Sequence, residues 1–212
     1  MSQIKACIFD LDGVIVDTAN YHYKAWRRLA NQLGFDFTLE QNEELKGISR
    51  IDSLNKILSW GGLKKNESEI QSLAKLKNTW YVEMITKMTP NEILPGVKEF
   101  LELVRSKGYS TALGSASKNS ELILHQIGLM QLFDALVEGN KVTKSKPDPE
   151  VFLIGASELK VKPEECVVFE DAIAGIEAAK AGNMKAVGIG NADVLKEADL
   201  VVAGLDRKST RL

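Results

Sequence analysis

Cysteine is scarce in this sequence: of 212 residues only Cys7 and Cys166 carry a thiol. A disulfide framework is therefore not on offer, and a reducing cytosol is the compartment that such usage suits. Both cysteines sit inside apolar runs and read as small buried residues rather than reactive groups. Excess charge of either sign is lacking too, with Lys+Arg 27 against Asp+Glu 29 and a formal charge of −2. Without a basic block to neutralise a phosphate backbone, no nucleic-acid partner is expected. No apolar run approaches the roughly 18 residues of a membrane span. The first ten residues reach a carboxylate too early for a signal-peptide apolar region, so no membrane partner is expected either. Internal repeats and low-complexity tracts are absent. What is present excludes disorder: 44% hydrophobic against 26% charged residues is the balance of an ordinary globular chain. The length suits one generous domain, or a domain with a small insert.

Short apolar runs recur at Ala6–Phe9, Thr111–Leu113, Leu136–Val137, Cys166–Phe169, Ala186–Ile189 and Leu200–Val202. They are continuous rather than alternating, as strands buried on both faces of a parallel sheet must be. Helical stripes lie between them. One is Val97, Phe100, Leu101 and Val104, closed by Gly108; another is Leu122, Ile123 and Ile127, closed by Gly128. Val151, Phe152, Gly155, Ala156 and Leu159 make a third, and Ile173, Ile176 and Ala179 a fourth, closed by Gly182. Strand alternating with helix predicts an α/β fold with a doubly wound, mostly parallel sheet. From about Thr18 to Met88 the alternation stops and only helical pattern is found. Its stripes are Tyr23, Trp26, Ala30 and Leu33; then Ile51, Leu54, Ile57 and Leu58 behind a Ser49 cap; then Ile70, Leu73, Leu76, Trp80, Met84 and Met88. An all-helical insert after the first strand is the expectation. Residues from Asp206 to Leu212 read as a polar tail.

Ligands bind beyond the carboxyl ends of strands in such a sheet, and the chemistry-bearing residues cluster at those ends. The first strand runs into Asp10, Asp12 and Gly13, the second into Ser115, Ala116 and Ser117 with Lys118-Asn119 at a helix start. Lys146 precedes Pro147, and Glu170-Asp171 follow the strand that ends at Phe169. Each signal alone has an ordinary explanation as a turn former, a cap or a solvated charge. Together, in this order and each at a strand end, they are the groups that phosphate chemistry uses: paired carboxylates, an anion cradle of N–H groups and hydroxyls, and a lone ammonium.

The ordered set resembles the haloacid dehalogenase superfamily along nearly the whole chain. Phe9–Gly13 looks like its first motif, Ser115 its second, Lys146 its third and Glu170-Asp171 its fourth. More narrowly the chain is similar to the β-phosphoglucomutase branch, through Asp12–Trp26, Leu45–Leu54 and Gly114–Asn119. The resemblance implies a Rossmann-like core at residues 1–16 and 90–212 and a small helical cap at 17–89, with hinges near 14–17 and 88–90. It makes Asp10 the nucleophile and a Mg²⁺ ligand, and Asp12 the general acid/base, its main-chain carbonyl also on the metal. Glu170 and Asp171 complete the metal site, Lys146 neutralises charge, and Ser115 donates to a phosphoryl oxygen. Ala172 departs from the pattern, which often has a small hydroxyl residue there.

A mutase working through a bisphosphate needs a second phosphate site, which a phosphatase does not. Arg50 is the cap-side candidate, since a guanidinium binds phosphate bidentately, with Ser117, Lys118 and Asn119 facing it. Thr18, His22, Trp26, Lys46, Gly47, Ser53, Lys77 and Ala116 are the further substrate-binding residues that the resemblance implies. His22 would orient the sugar and Asp12. The expected activity is interconversion of β-glucose 1-phosphate and glucose 6-phosphate, with Mg²⁺ as cofactor and β-glucose 1,6-bisphosphate as primer. A sugar-phosphate phosphatase or a non-catalytic phosphate-binding module shares the core motifs and stays open at this point. The expected partners are small sugar phosphates only, and a monomer suffices.

Overall fold

The computed structural model describes residues 3–45 and 48–206. Each apolar run becomes a strand: β1 Ala6–Phe9, β2 Ser110–Gly114, β3 Ala135–Val137, β4 Cys166–Glu170, β5 Lys185–Ile189 and β6 Leu200–Val202. The helices are α1 Ala19–Gln32, α2 Leu39–Glu43, α3 Arg50–Trp60, α4 Glu67–Ile85, α5 Val97–Ser106, α6 Ser120–Ile127, α7 Glu150–Glu158 and α8 Ile173–Ala181. The strands make a sheet in the order β3-β2-β1-β4-β5-β6 with every neighbouring pair parallel. The order reverses beside β1, so the carboxyl ends of β1, β2 and β4 open onto the crevice where such sheets take their ligands.

Burial on both faces explains the unbroken hydrophobicity of the strands. In β1, Cys7 and Phe9 enter one core with Val97, Leu101 and Val104 of α5 and Ile123 and Ile127 of α6. Ala6 and Ile8 point the other way, into a core with Phe152 of α7 and Ile176 and Ala179 of α8. This is the two-residue period of a strand, written in packing. Phe9 stacks on Phe169 at 4.7 Å between ring centroids, which ties β1 to β4 just before the residues that matter. Cys7 and Cys166 fall into opposite cores, both free. Burial pushes their thiols up, to about 12 for Cys7 and about 11 for Cys166.

Between β1 and β2, helices α1, α3 and α4 build another apolar cluster that includes Trp26, Leu29, Phe37, Leu54, Ile57 and Trp80, while Ala25, Tyr81 and Ile85 join the core that holds Phe9. The Ser49 hydroxyl accepts from Asp52 N and caps α3 as expected. Two features differ from expectation. α2, held by a capping box between Thr38 and Gln41, has five residues, too few to show a period. In α4 the buried side is Ala74, Lys77, Trp80, Tyr81 and Ile85, whereas Leu76 is exposed and Met88 lies beyond the helix. The cause is Lys77, 1% exposed, a residue that hydropathy patterning assigns to solvent. Ile173 likewise sits outside the core at 51% exposure. The segments leaving β1 and returning from α4 lie side by side, with Val16 bridged to Ile93 and Leu94 N donating to Ile15 O at 3.0 Å.

The far edge of the sheet is fastened by Asp199, which accepts from Ala186 N at 2.8 Å and pairs with Lys180 and Lys185. Burial would raise this carboxyl, but the Ala186 N–H and the two ammoniums outweigh it and hold it down at about 2. A depressed carboxyl contributes stability above its unfolded value of 3.8 and loses it as pH falls through the folded value. Asp199→Asn is therefore expected to cost about 1 kcal/mol at neutral pH, with solvent screening allowed for. The gap from the parent protein should close between about pH 4 and 2. Urea midpoints measured against pH for both proteins check this.

Candidate active site

Two parallel neighbours create the site. β1 and β4 run in register, Phe9 beside Phe169, so the next residues, Asp10 and Glu170, emerge together at the crevice. The Lys146 ammonium lies between them, 2.7 Å from Asp10 Oδ1 and 2.7 Å from Glu170 Oε2, with 1% of its side chain exposed. Burial opposes its charge, yet the two carboxylates prevail and hold the ammonium above the usual lysine range. Glu170 Oε1 also accepts from Ala172 N at 3.1 Å. Ala172 has N-cap geometry at α8 without a side-chain cap, so the missing hydroxyl costs that helix an N-terminal hydrogen bond.

Asp12 follows on the same turn, and the Thr18 hydroxyl donates to its Oδ1. Burial, then the charge of Asp10, pushes the Asp12 carboxyl up to about 7, against the pull of the Thr18 bond. A carboxyl poised there suits a group that both gives and takes a proton near neutrality. Burial and Asp10 push Glu170 up as well, to about 8. Both shifts share their leading causes, burial first and then the neighbouring charge of Asp10. Oxygens of Asp10, Glu170 and Asp171 lie within 4.8 Å of one another. All are hard donors, so the set fits Mg²⁺, whose charge would relieve the crowding. Gly13 makes room for it. At φ +77° its backbone is left-handed, and a Cβ there would stand 2.1 Å from Asp171 Oδ2.

The loop after β2 cradles its own backbone. Ser117 N donates to Ser115 Oγ at 3.1 Å and Asn119 N to Ser117 Oγ at 3.2 Å, which sets these residues around the crevice. From the helical side, Lys77 Nζ reaches His22 Nδ1 at 2.9 Å and stands 4.3 Å over the Trp26 ring. Burial, then the charges of Lys77 and Arg50, holds His22 well below the usual imidazole range. Its ring is thus neutral, and Nδ1 shares a hydrogen bond with Lys77 Nζ. Burial, with Arg50, also pulls Lys77 well down.

One cavity of about 570 Å³ gathers nearly all the residues read from the sequence. Asp10, Asp12, Ser115, Lys146 and Asp171 line its floor; Ala116, Ser117, Lys118 and Asn119 line the side given by the β2 loop. Thr18, His22, Trp26, Arg50, Ser53 and Lys77 line it from the helices. Glu170 does not line the cavity: it is fully buried beneath it and acts on the floor through Lys146. Lys46 and Gly47 lie outside the described residues. The sequence reading missed Tyr81, Asn78, Asp52 and Ser145, which also line the cavity. Tyr81 was traceable, one helical turn after Lys77 on the same face. Asp52 and Ser145 meet across the cavity, the Ser145 hydroxyl donating to Asp52 Oδ2 at 3.3 Å, a contact no sequence pattern announces.

Comparison with known proteins gives the family of the chain. A family model, described as haloacid dehalogenase-like hydrolase, matches residues 4–183. The β-phosphoglucomutase of Bacillus subtilis is 44% identical over 94% of this chain and 89% of its own length. A phosphorylated carbohydrates phosphatase of Thermotoga maritima is 34% identical over 87% of this chain and 84% of its own. The crystal structure of a β-phosphoglucomutase from Clostridium difficile matches with a TM-score of 0.94 at 46% identity, over 97% of this chain and 93% of that one.

Gly13→Ala is expected to displace the Asp171 carboxylate and weaken divalent-cation binding by roughly 10–100-fold. Calorimetric titration with Mg²⁺ reads this directly, and an unchanged affinity would remove Asp171 from the ion's ligands.

Proposed function

The chain belongs to the haloacid dehalogenase-like hydrolase family, and from that premise we infer that it is a β-phosphoglucomutase. It interconverts β-glucose 1-phosphate and glucose 6-phosphate through β-glucose 1,6-bisphosphate. The observation that carries this reading is the joint placement in one cavity of Asp10, Asp12 and Lys146 on the floor with Arg50 on the helical side. A hydrolase needs one phosphate site and water. A cationic residue facing the nucleophile from the other layer suits a substrate with phosphate at both ends.

Asp10 attacks the facing phosphorus of the bisphosphate, the bond to the sugar oxygen breaks, and Asp12 gives that oxygen its proton. The aspartyl-phosphate then waits for a sugar monophosphate turned the other way. Asp12 takes the proton from the incoming hydroxyl, which attacks phosphorus and frees the Asp10 carboxylate. Lys146 and the Ser115 hydroxyl stabilise charge on the moving phosphoryl group. His22, held by Lys77, orients the sugar hydroxyl toward Asp12. Asp10, Glu170, Asp171 and the Asp12 carbonyl would hold Mg²⁺, which when bound would supply the positive charge that lets two anions meet. We read residues 1–16 and 90–212 as the core and 17–89 as a cap. Closure of the cap excludes water and protects the aspartyl-phosphate from hydrolysis. The cytoplasm suits two unpaired, buried cysteines, and one chain suffices to line the site.

The similarity to a carbohydrate phosphatase keeps hydrolysis as the second reading. Phosphorus-31 NMR with Mg²⁺, β-glucose 1-phosphate and a trace of bisphosphate separates the two. Glucose 6-phosphate with little inorganic phosphate is expected; inorganic phosphate as the main product would install the phosphatase instead. Arg50→Ala is expected to slow interconversion by at least about 100-fold, the loss of a bidentate charged contact. Hydrolysis of a small aryl phosphate, which has no second phosphate to hold, should fall far less.

A further inference from the structure

We propose that Asn78 is a positioning residue for the second phosphate subsite, acting through Asn119; the proposal rests on the mutase reading above. Asn119 occupies the N-cap position of α6, where asparagine ordinarily turns its side-chain oxygen onto the helix's own N–H groups. Here it forms no side-chain cap. Its Nδ2 instead donates at 3.0 Å to Asn78 Oδ1, a residue 41 positions away on α4. A local preference is thus given up for a contact between the helical layer and the sheet. Such departures gather where function overrides folding convenience.

The geometry gives the contact a purpose. A side-chain amide carries two N–H donors, and its terminal torsion is broad and loosely held when nothing grips it. With one N–H fixed on Asn78, the amide is held in one orientation at the wall of the cavity that both residues line, leaving its other N–H for a ligand there. The rest of the cradle is already set by its own hydroxyls, through Ser115 and Ser117. Among these residues only the Asn119 side chain takes its hold from the opposite layer. α4 supplies that hold one residue after Lys77, which reaches His22. One helix therefore sets both the group that orients the sugar and the group that meets the far phosphate. The subsite is complete only when α4 is seated against the β2 loop.

The test is a double-mutant cycle on Asn78→Ala, Asn119→Ala and the pair, with Mg²⁺ present and no bisphosphate. Glucose 6-phosphate affinity is read by calorimetry, so turnover does not enter. Asn78→Ala is expected to bind about tenfold more weakly, and the pair no more weakly than Asn119→Ala alone. In turnover the loss should fall on KM, with kcat nearly unchanged. Losses that multiply in the pair would overturn the proposal, because Asn78 would then act on the sugar phosphate by another route. An unchanged affinity in Asn78→Ala, with circular dichroism showing an intact fold, would overturn it as well. Failure of the mutase reading is seen separately, in the NMR product of the parent protein, whereas the coupling of Asn78 to Asn119 is read from binding alone.

Discussion

One buried ammonium governs the floor of this site. Lys146 is shared between Asp10 and Glu170, which reach it from adjacent central strands. Separated from either carboxylate it would be an unpaired charge in a dry interior, a costly state. With both it is locked, and so is the Asp10 oxygen that must attack. Around it Asp12 and Glu170 are pushed up by burial and by the charge of Asp10. The oxygens of Asp10, Glu170 and Asp171, gathered within 4.8 Å, form a set that could hold a hard cation.

The helical side has the opposite character. Arg50, Lys77 and His22 face the carboxylates across the cavity, and burial holds the last two below their usual basicity. The cavity thus lies between a carboxylate-rich floor with one ammonium and a side that carries a guanidinium, an imidazole and a second lysine. Neither layer forms this cavity alone. Asp52 with Ser145 and Asn78 with Asn119 join the layers through polar side chains at the cavity, while Ala25 of α1 and Tyr81 and Ile85 of α4 join the same apolar core as Phe9 and Leu124.

The strands and the floor were legible in the sequence because they obey short rules. A buried parallel strand is an unbroken apolar run, and Asp10, Asp12, Ser115, Lys146 and Glu170-Asp171 stand directly at strand ends or in the loops after them. The helical layer was less legible. α2 is too short to show a period, and α4 buries a lysine that a hydropathy pattern places in solvent. Asn119 reads locally as a cap, and only its distant partner shows otherwise. Glu170 is the reverse case: its residue type and place were evident, but not that it lies sealed beneath the cavity. What escaped was set by contacts between residues far apart in sequence, where local propensity carries no information.

The strand order has a further consequence, for how the chain comes to be folded. β1 is first in sequence yet central in space, flanked by β2 and β4. During synthesis it must therefore wait, unpaired on one edge, until residue 170 has been made. At about 5–20 residues per second that interval is on the order of ten seconds. The helices that follow β1 have their apolar cluster complete by Trp80, long before then. β3, β5 and β6 each find a neighbour soon after they are made, so the strand bearing Asp10 waits longest for its neighbours.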